Sequence, residues 1–286
     1  MPYHRRISIR VPDGTFCAPG NQQIGGTCFD RNGLLRLIQK YNTKYPDRAI
    51  HYTSKTPNRV LWSAFRDGLA SVCGDNEWCW LDQDFLKYDS EIQRYYRPPR
   101  PNTSHKWLST TDIDAVLKQY ETQYHNFVFM GAVPLDFDEV IDEYRNMKIC
   151  PMYQGQQITQ FGFVFNLDTH QKKGSHWVSM FMNLDGPDKF IGFFDSYGHP
   201  PPPQIRNLII RLKQQVKDCL GLQIHYKCNT VQHQHKNTEC GVYSLYFIYQ
   251  CLQHHTFEDI TEAIILDDDV NRFREFFFRP TIHYRG

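Results

Sequence analysis

The stretch HWVSMFMNLDGPDKFIGFFD, residues 176–195, decides the fold. Two short, aromatic, β-prone runs, His176 to Met182 and Phe190 to Asp195, flank Asp185-Gly186, a dipeptide that favours tight hairpin turns. With Phe161 to Asn166 upstream they read as a β-meander. A turn centred between Asp185 and Gly186 sets His176 opposite Asp195, with Cβ atoms about 5 Å apart. Alternation then puts Val178 and Met180 on the face of His176, and Ile191 and Phe193 on that of Asp195. Pro187 admits a longer loop and with it a shift of register.

A second run, CGVYSLYFIYQC at 240–251, is apolar almost all round and follows the polar stretch His233 to Glu239, as a buried helix follows a loop. Cys240 thus opens a helix, where the positive end of the dipole and a nearby imidazolium lower the pKa of a thiol. Cysteine-nucleophile acyl transfer needs a thiolate, an imidazole to carry the proton, a carboxylate to orient the imidazole and a donor for the oxyanion. Cys240, His176, Asp195 and Gln234 supply these in one segment, with Gln232 the rival of Gln234. Taken singly, a cysteine is a small hydrophobe, a histidine is structural and an Asp-Ser pair is a turn or cap. Their joint spacing and placement favour the catalytic reading. Because the cysteine comes last, the chain order is not that of papain itself, whose cysteine precedes the histidine.

His176-Trp177, Asp195-Ser196, Gln234 and Cys240-Gly241 resemble the motif set of the ubiquitin-like-protein (SUMO-type) protease and adenovirus endopeptidase superfamily. The phrase NTECGVYSLYFI, residues 237–248, is closest to the branch of large double-stranded DNA viruses, which processes structural polyproteins during virion assembly. The resemblance spans roughly residues 107 to 252. It implies an α+β, papain-like cysteine protease fold of reversed chain order, a mixed sheet flanked by helices. It implies catalytic roles for His176, Asp195 and Cys240, an oxyanion role for Gln234, and cleavage after Gly-Gly or a similar small pair. Trp107, in the run WLSTTDI at 107–113, and Trp177 resemble the two tryptophans that wall a narrow substrate tunnel. Core packing is the plain alternative for both.

With 41% hydrophobic and 15% aromatic residues, a chain of 286 residues can bury a full core plus a smaller one. The proline-rich stretch Tyr95 to Ser104 reads as a linker between a mainly helical N-terminal accessory region, 1–100, and the protease core, 101–286. Helices are predicted over Gly33 to Tyr41, Val60 to Val72, Thr111 to Tyr120 with a Thr cap, Phe137 to Tyr144, Gln204 to Leu220 and Asp267 to Phe278. Strands are predicted over Phe127 to Val133 and Leu222 to Cys228. No apolar run approaches a membrane span, and the first residues lack a secretory signal. Nine scattered cysteines suit reduced thiols and an intracellular, reducing setting, which on the viral reading is host cytoplasm and virion. A formal charge of +1 makes no case for nucleic acid; the local basic clusters Arg5, Arg6, Arg10 and Lys172-Lys173 read as solvated faces. The expected partner is a protein substrate, with no membrane, no cofactor and no oligomeric state implied.

A zinc-binding or adaptor module is the alternative of another class, drawing on His225, Cys228, His233, His235 and Cys240, or on Cys73 and Cys79, at spacings poor for tight ligand couples. Within the enzyme reading the rival is a SUMO or ubiquitin-like-protein isopeptidase. The chain's own Gly25-Gly26 would suit self-cleavage before Thr27, against the simpler account of a turn.

Overall fold

The strands are β1 (Arg6–Ile7), β2 (Phe127–Pro134), β3 (Gln160–Asn166), β4 (Trp177–Asn183), β5 (Phe190–Phe194), β6 (His225–Cys228) and β7 (Ile264–Ile265). The computed structural model describes residues 6–7, 9–12, 16–21, 26–101 and 107–281, so Arg5 and the Gly25 side of the Gly25-Gly26 pair lie outside the described residues. Backbone contacts divide the chain into two units. One comprises Pro12–Asn102 with Glu275–Gly286, the other Met1–Val11 with Thr103–Arg274.

The smaller unit is helical, with α1 (Arg31–Lys44), α2 (Asn58–Cys73), α3 (Glu77–Leu81) and α4 (Ser90–Gln93). Leu34, Leu37, Phe65 and Trp80 lie at the centre of its core. Its closing residue is Arg279, 2% exposed, which bonds Asp82 Oδ1 at 2.9 Å and pairs its backbone with Pro98 and Arg100. For that reason Glu275–Gly286 belongs with the helical unit.

In the larger unit β2 to β6 form one mixed sheet in sequence order; β2–β3 and β5–β6 are parallel, β3–β4 and β4–β5 antiparallel. Separately, β1 and β7 pair in parallel, which ties Arg6 and Ile7 to this unit. Every residue of β3 and β5, and all of β4 but Asn183, is buried. A sheet covered on both faces requires such continuous apolar runs.

The helices of this unit are α5 (Thr110–Gln123), α6 (Phe137–Val140), α7 (Asp142–Arg145), α8 (Ile149–Gln156), α9 (Pro203–Leu220), α10 (Cys240–Leu252), α11 (Phe257–Thr261) and α12 (Asp267–Asn271); the division after Arg274 falls within α13 (Phe273–Phe277). On one face, Ile205, Leu208, Ile209, Leu212 and Val216 of α9 join a core with Phe161, Phe163, Phe165, Val178, Met180, Ile191 and Phe193. Pro203 at its first turn and Gly221 in the left-handed region (φ 64°) after its last bound α9. The other face receives α10, with Phe194 stacked on Phe247 at 5.0 Å. Gly192 leaves room there for Phe257, whose ring would lie 2.6 Å from an added Cβ. All of α10 is buried except Gln250, which is half-buried.

Several expectations are corrected. The hairpin ladder pairs Ser179 with Phe194, where a turn between Asp185 and Gly186 gives Gly192. The connection is wider, because Asn183 Nδ2 donates to the carbonyls of Asp185 and Asp188, both at 3.0 Å. A two-residue shift leaves every side chain on its face. The cap of α5 is Ser109 rather than a threonine, in a reciprocal capping box with Asp112. Ile141, extended, splits the expected helix after Phe137. A break at Arg272 does the same near the C-terminus. The thiols are not all reduced: Cys17–Cys28, Cys73–Cys79 and Cys150–Cys219 are disulfides, leaving Cys228, Cys240 and Cys251 free. Their scatter along the chain concealed Cα separations of 5.2, 5.4 and 6.3 Å, all within disulfide range.

Candidate active site

His176 and Asp195 lie one residue outside their strands, His176 before β4 and Asp195 after β5. The ladder still guides them: Leu167 N donates to His176 O at 2.9 Å, extending the β3–β4 pairing. Asp195 is fixed by Asn229, which accepts from its N–H at 2.9 Å and donates to its carbonyl at 2.7 Å. This clamp delivers the carboxylate to His176, whose Nε2 donates to Asp195 Oδ1 at 2.6 Å. The same oxygen accepts from Tyr197 N at 2.9 Å, and the Tyr197 ring lies 4.7 Å from the imidazole.

Cys240 adds a second favourable influence on the charged His176 ring. Burial opposes charge on the imidazole, but hydrogen bonds to the Asp195 carboxylate and the Cys240 sulfur, and the attraction of both, raise its pKa to about 9. The histidine is therefore an imidazolium at neutral pH. Cys240 is the first residue of α10 and 2% exposed. Amides at a helix start lack intrahelical acceptors.

Gln234 is 1% exposed and held at both ends of its amide. Its Oε1 accepts from Ser196 Oγ at 2.6 Å, and its Nε2 donates to Lys236 O at 2.8 Å. Both backbone N–H groups of 233 and 234 donate to Ser196 O. Gln232, by contrast, is exposed and donates to Gln234 O. An amide with a fixed oxygen has a fixed second N–H direction, which is what an oxyanion donor requires.

Trp177 is 5% exposed and donates its indole N–H to Leu108 O at 2.8 Å. Leu108 in turn lies against Gly241, where an added Cβ would sit 3.0 Å from the leucine Cβ. The three dipeptides Trp107-Leu108, His176-Trp177 and Cys240-Gly241 are thus in one packed cluster. Trp107 is 37% exposed and lines, with Trp177, Asn166, Asp168 and Lys173, a cleft of about 450 Å³. Cys73 and Cys79, offered to zinc in the alternative reading, are bonded to each other.

Sequence reasoning brought out His176, Asp195, Gln234, Cys240 and the two tryptophans, and missed Asn229, Ser196 as an amide anchor, and Leu108. The Asp195-Ser196 pair carried a signal for the second and the run WLSTTDI for the third; Asn229, whose side chain grips backbone atoms, carried none.

Residues 165–283 match the Ulp1 protease family, C-terminal catalytic domain. A thiol protease of Acanthamoeba polyphaga mimivirus is 32% identical over 92% of this chain and 93% of its own length. A SUMO-1 cysteine protease of African swine fever virus is 28% identical over 86% of this chain and 99% of its own. The crystal structure of an African swine fever virus protease superposes with a TM-score of 0.67 at 22% identity, covering 93% of this chain and 96% of that one, and so shares the fold. No helix of the described residues is long and apolar enough to cross a membrane. The chain belongs to the Ulp1 protease family, as a cysteine-type peptidase similar to the thiol proteases of large DNA viruses.

Proposed function

We propose that His176, Asp195, Gln234 and Cys240 are the catalytic residues of an endopeptidase that cuts after Gly-Gly-like pairs, and that its substrates are viral structural polyproteins, processed during virion maturation in host cytoplasm and virion. The observation that carries the assignment is the 2.6 Å contact of His176 with the Asp195 carboxylate, together with the favourable influence of Cys240 on the same imidazole. The thiolate adds to the scissile carbonyl and the π electrons pass to oxygen, where the second N–H of Gln234 and the first amides of α10 stabilise them. Collapse expels the amine, which takes the His176 proton and leaves a thioester. Water then attacks, giving a proton to the neutral imidazole, and the second collapse releases the acid and restores the ion pair. Trp107 and Trp177 restrict the approach to small residues, since a side chain there would meet an indole face.

Deconjugation of a ubiquitin-like protein is the second reading, favoured by the name of the African swine fever virus relative. A side-by-side assay of Gly-Gly-X peptides and a SUMO fusion, with wild type, Cys240→Ala and His176→Ala, separates the two. Peptide cleavage by wild type alone supports the proposal. Cleavage of the fusion but of no peptide reverses the choice of substrate, and activity of Cys240→Ala near wild type overturns the nucleophile.

A further inference from the structure

The carboxylate of Asp267 begins the five-residue helix α12, yet it does not serve that helix. Its Oδ2 accepts from the backbone N–H groups of His235 and Lys236, both at 2.9 Å, across more than thirty residues of sequence. Its Oδ1 accepts from the Tyr243 hydroxyl at 3.1 Å; the same hydroxyl lies 2.9 Å from Ile265 O. Burial first, and then the Asp267 charge, push the Tyr243 phenol above its ordinary range, so it remains a donor. Asp267 itself is 6% exposed and Tyr243 fully buried. The Lys236 backbone that Asp267 grips is also the acceptor of the Gln234 side chain, at 2.8 Å. Two anchors therefore hold Gln234 from opposite sides: Ser196 fixes its oxygen, and Asp267 fixes the residue that receives its nitrogen.

From this geometry we infer that Asp267 is a positioning residue for the oxyanion site, acting through Lys236 on Gln234. The inference rests on the proposed role of Gln234. Loss of the carboxylate leaves two backbone N–H groups without their acceptor, and the loop must turn to find water. The carbonyl of Lys236 turns with it and Gln234 loses its aim. Asp267 touches neither His176 nor Cys240, so the nucleophile is spared.

The test is a double-mutant cycle on a Gly-Gly-X peptide, with the alkylation rate of Cys240 by chloroacetamide followed by mass spectrometry. Removal of one oxyanion donor costs roughly 10² to 10³ in kcat, which bounds the effect of misplacing it. Asp267→Ala is expected to lower kcat about tenfold or more, with KM within about twofold and the alkylation rate unchanged. Asp267→Asn, which keeps one oxygen for the two amides, recovers most of the loss. In a Gln234→Ala background Asp267→Ala is expected to add little. Should Asp267→Ala fail to fold, Tyr243→Phe, which removes only the donor to Oδ1, gives a smaller loss that also vanishes in that background. Equal losses with and without Gln234, or alkylation falling in step with kcat, overturn the inference. A Gln234→Ala enzyme with wild-type kcat overturns both it and the role of Gln234, and is told apart by needing no second substitution.

Discussion

His176 Nε2 lies 2.6 Å from Asp195 Oδ1, although neither residue is inside the hairpin ladder that brings them together. The contact is made by two side chains just past the ends of β4 and β5, where pairing no longer dictates direction. Asp195→Asn keeps the shape and removes the charge. It is expected to lower kcat by roughly a hundredfold or more with KM nearly unchanged, less than the loss from Cys240→Ala. Steady-state kinetics on a Gly-Gly-X peptide would check this, and a variant within about threefold of wild type would remove Asp195 from the mechanism.

The pH response follows from the sign of the histidine shift. The pKa of His176 is raised from 6.5 to about 9 in the folded chain, so its favourable contacts are fully present below 6.5 and fade as pH rises through about 9. On the proposed mechanism the leaving amine takes the imidazolium proton, so kcat/KM is expected to fall on the alkaline side near pH 9. In Asp195→Asn that limb should move to lower pH. Thermal melts should show the parallel loss of stability, flatter in His176→Gln, which lacks the titrating group.

Asn229, itself buried, holds Asp195 through both of its backbone groups. Asn229→Ala strands a buried N–H and a buried carbonyl, which costs about 1–3 kcal/mol of stability. Activity should fall further than stability alone explains, because the freed Asp195 loses its line to His176. Chemical denaturation and kcat measured at a temperature where the variant is folded separate the two effects. A stable variant with wild-type kcat would show that the clamp is dispensable.

Gly241 and Trp177 grip Leu108 from two sides. Gly241→Ala puts a methyl against a leucine whose carbonyl is tied, an overpacking that costs about 1–3 kcal/mol. Trp177→Phe unties the carbonyl and lets Leu108 yield. The two substitutions should therefore cost less together than their sum, in both stability and kcat/KM. Strict additivity would mean that the cluster does not act as a unit.

The class of enzyme, a cysteine peptidase, was legible in the sequence because its residue types stand out: a cysteine opening an apolar helix, a histidine just before one aromatic strand and an aspartate just after another. The layered sheet was legible too, since α9 carries its apolar stripe openly and Val178, Met180, Ile191 and Phe193 share a face in either register. The register itself was not, because it turns on the Asn183 side chain bonding Asp185 and Asp188, a local contact with no composition signal. Asn229 and Asp267 were hidden for a related reason: their partners are backbone atoms 34 and 32 residues away. The disulfide between Cys150 and Cys219 waits on the packing of α8 against α9, 69 residues apart.

The parallel pairing of β1 with β7 has a consequence in time. Arg6 and Ile7 leave the ribosome long before their partners, Ile264 and Ile265. A nascent chain that already carries His176, Asp195 and Cys240 still lacks the strand beside β1 and the carboxylate that follows it. Vectorial synthesis thus delays completion of the peptidase unit until Ile265 has been made. Stalled chains released after Ala263 should accordingly cleave no Gly-Gly-X peptide, and activity from such a fragment would show that the closing strand is not needed.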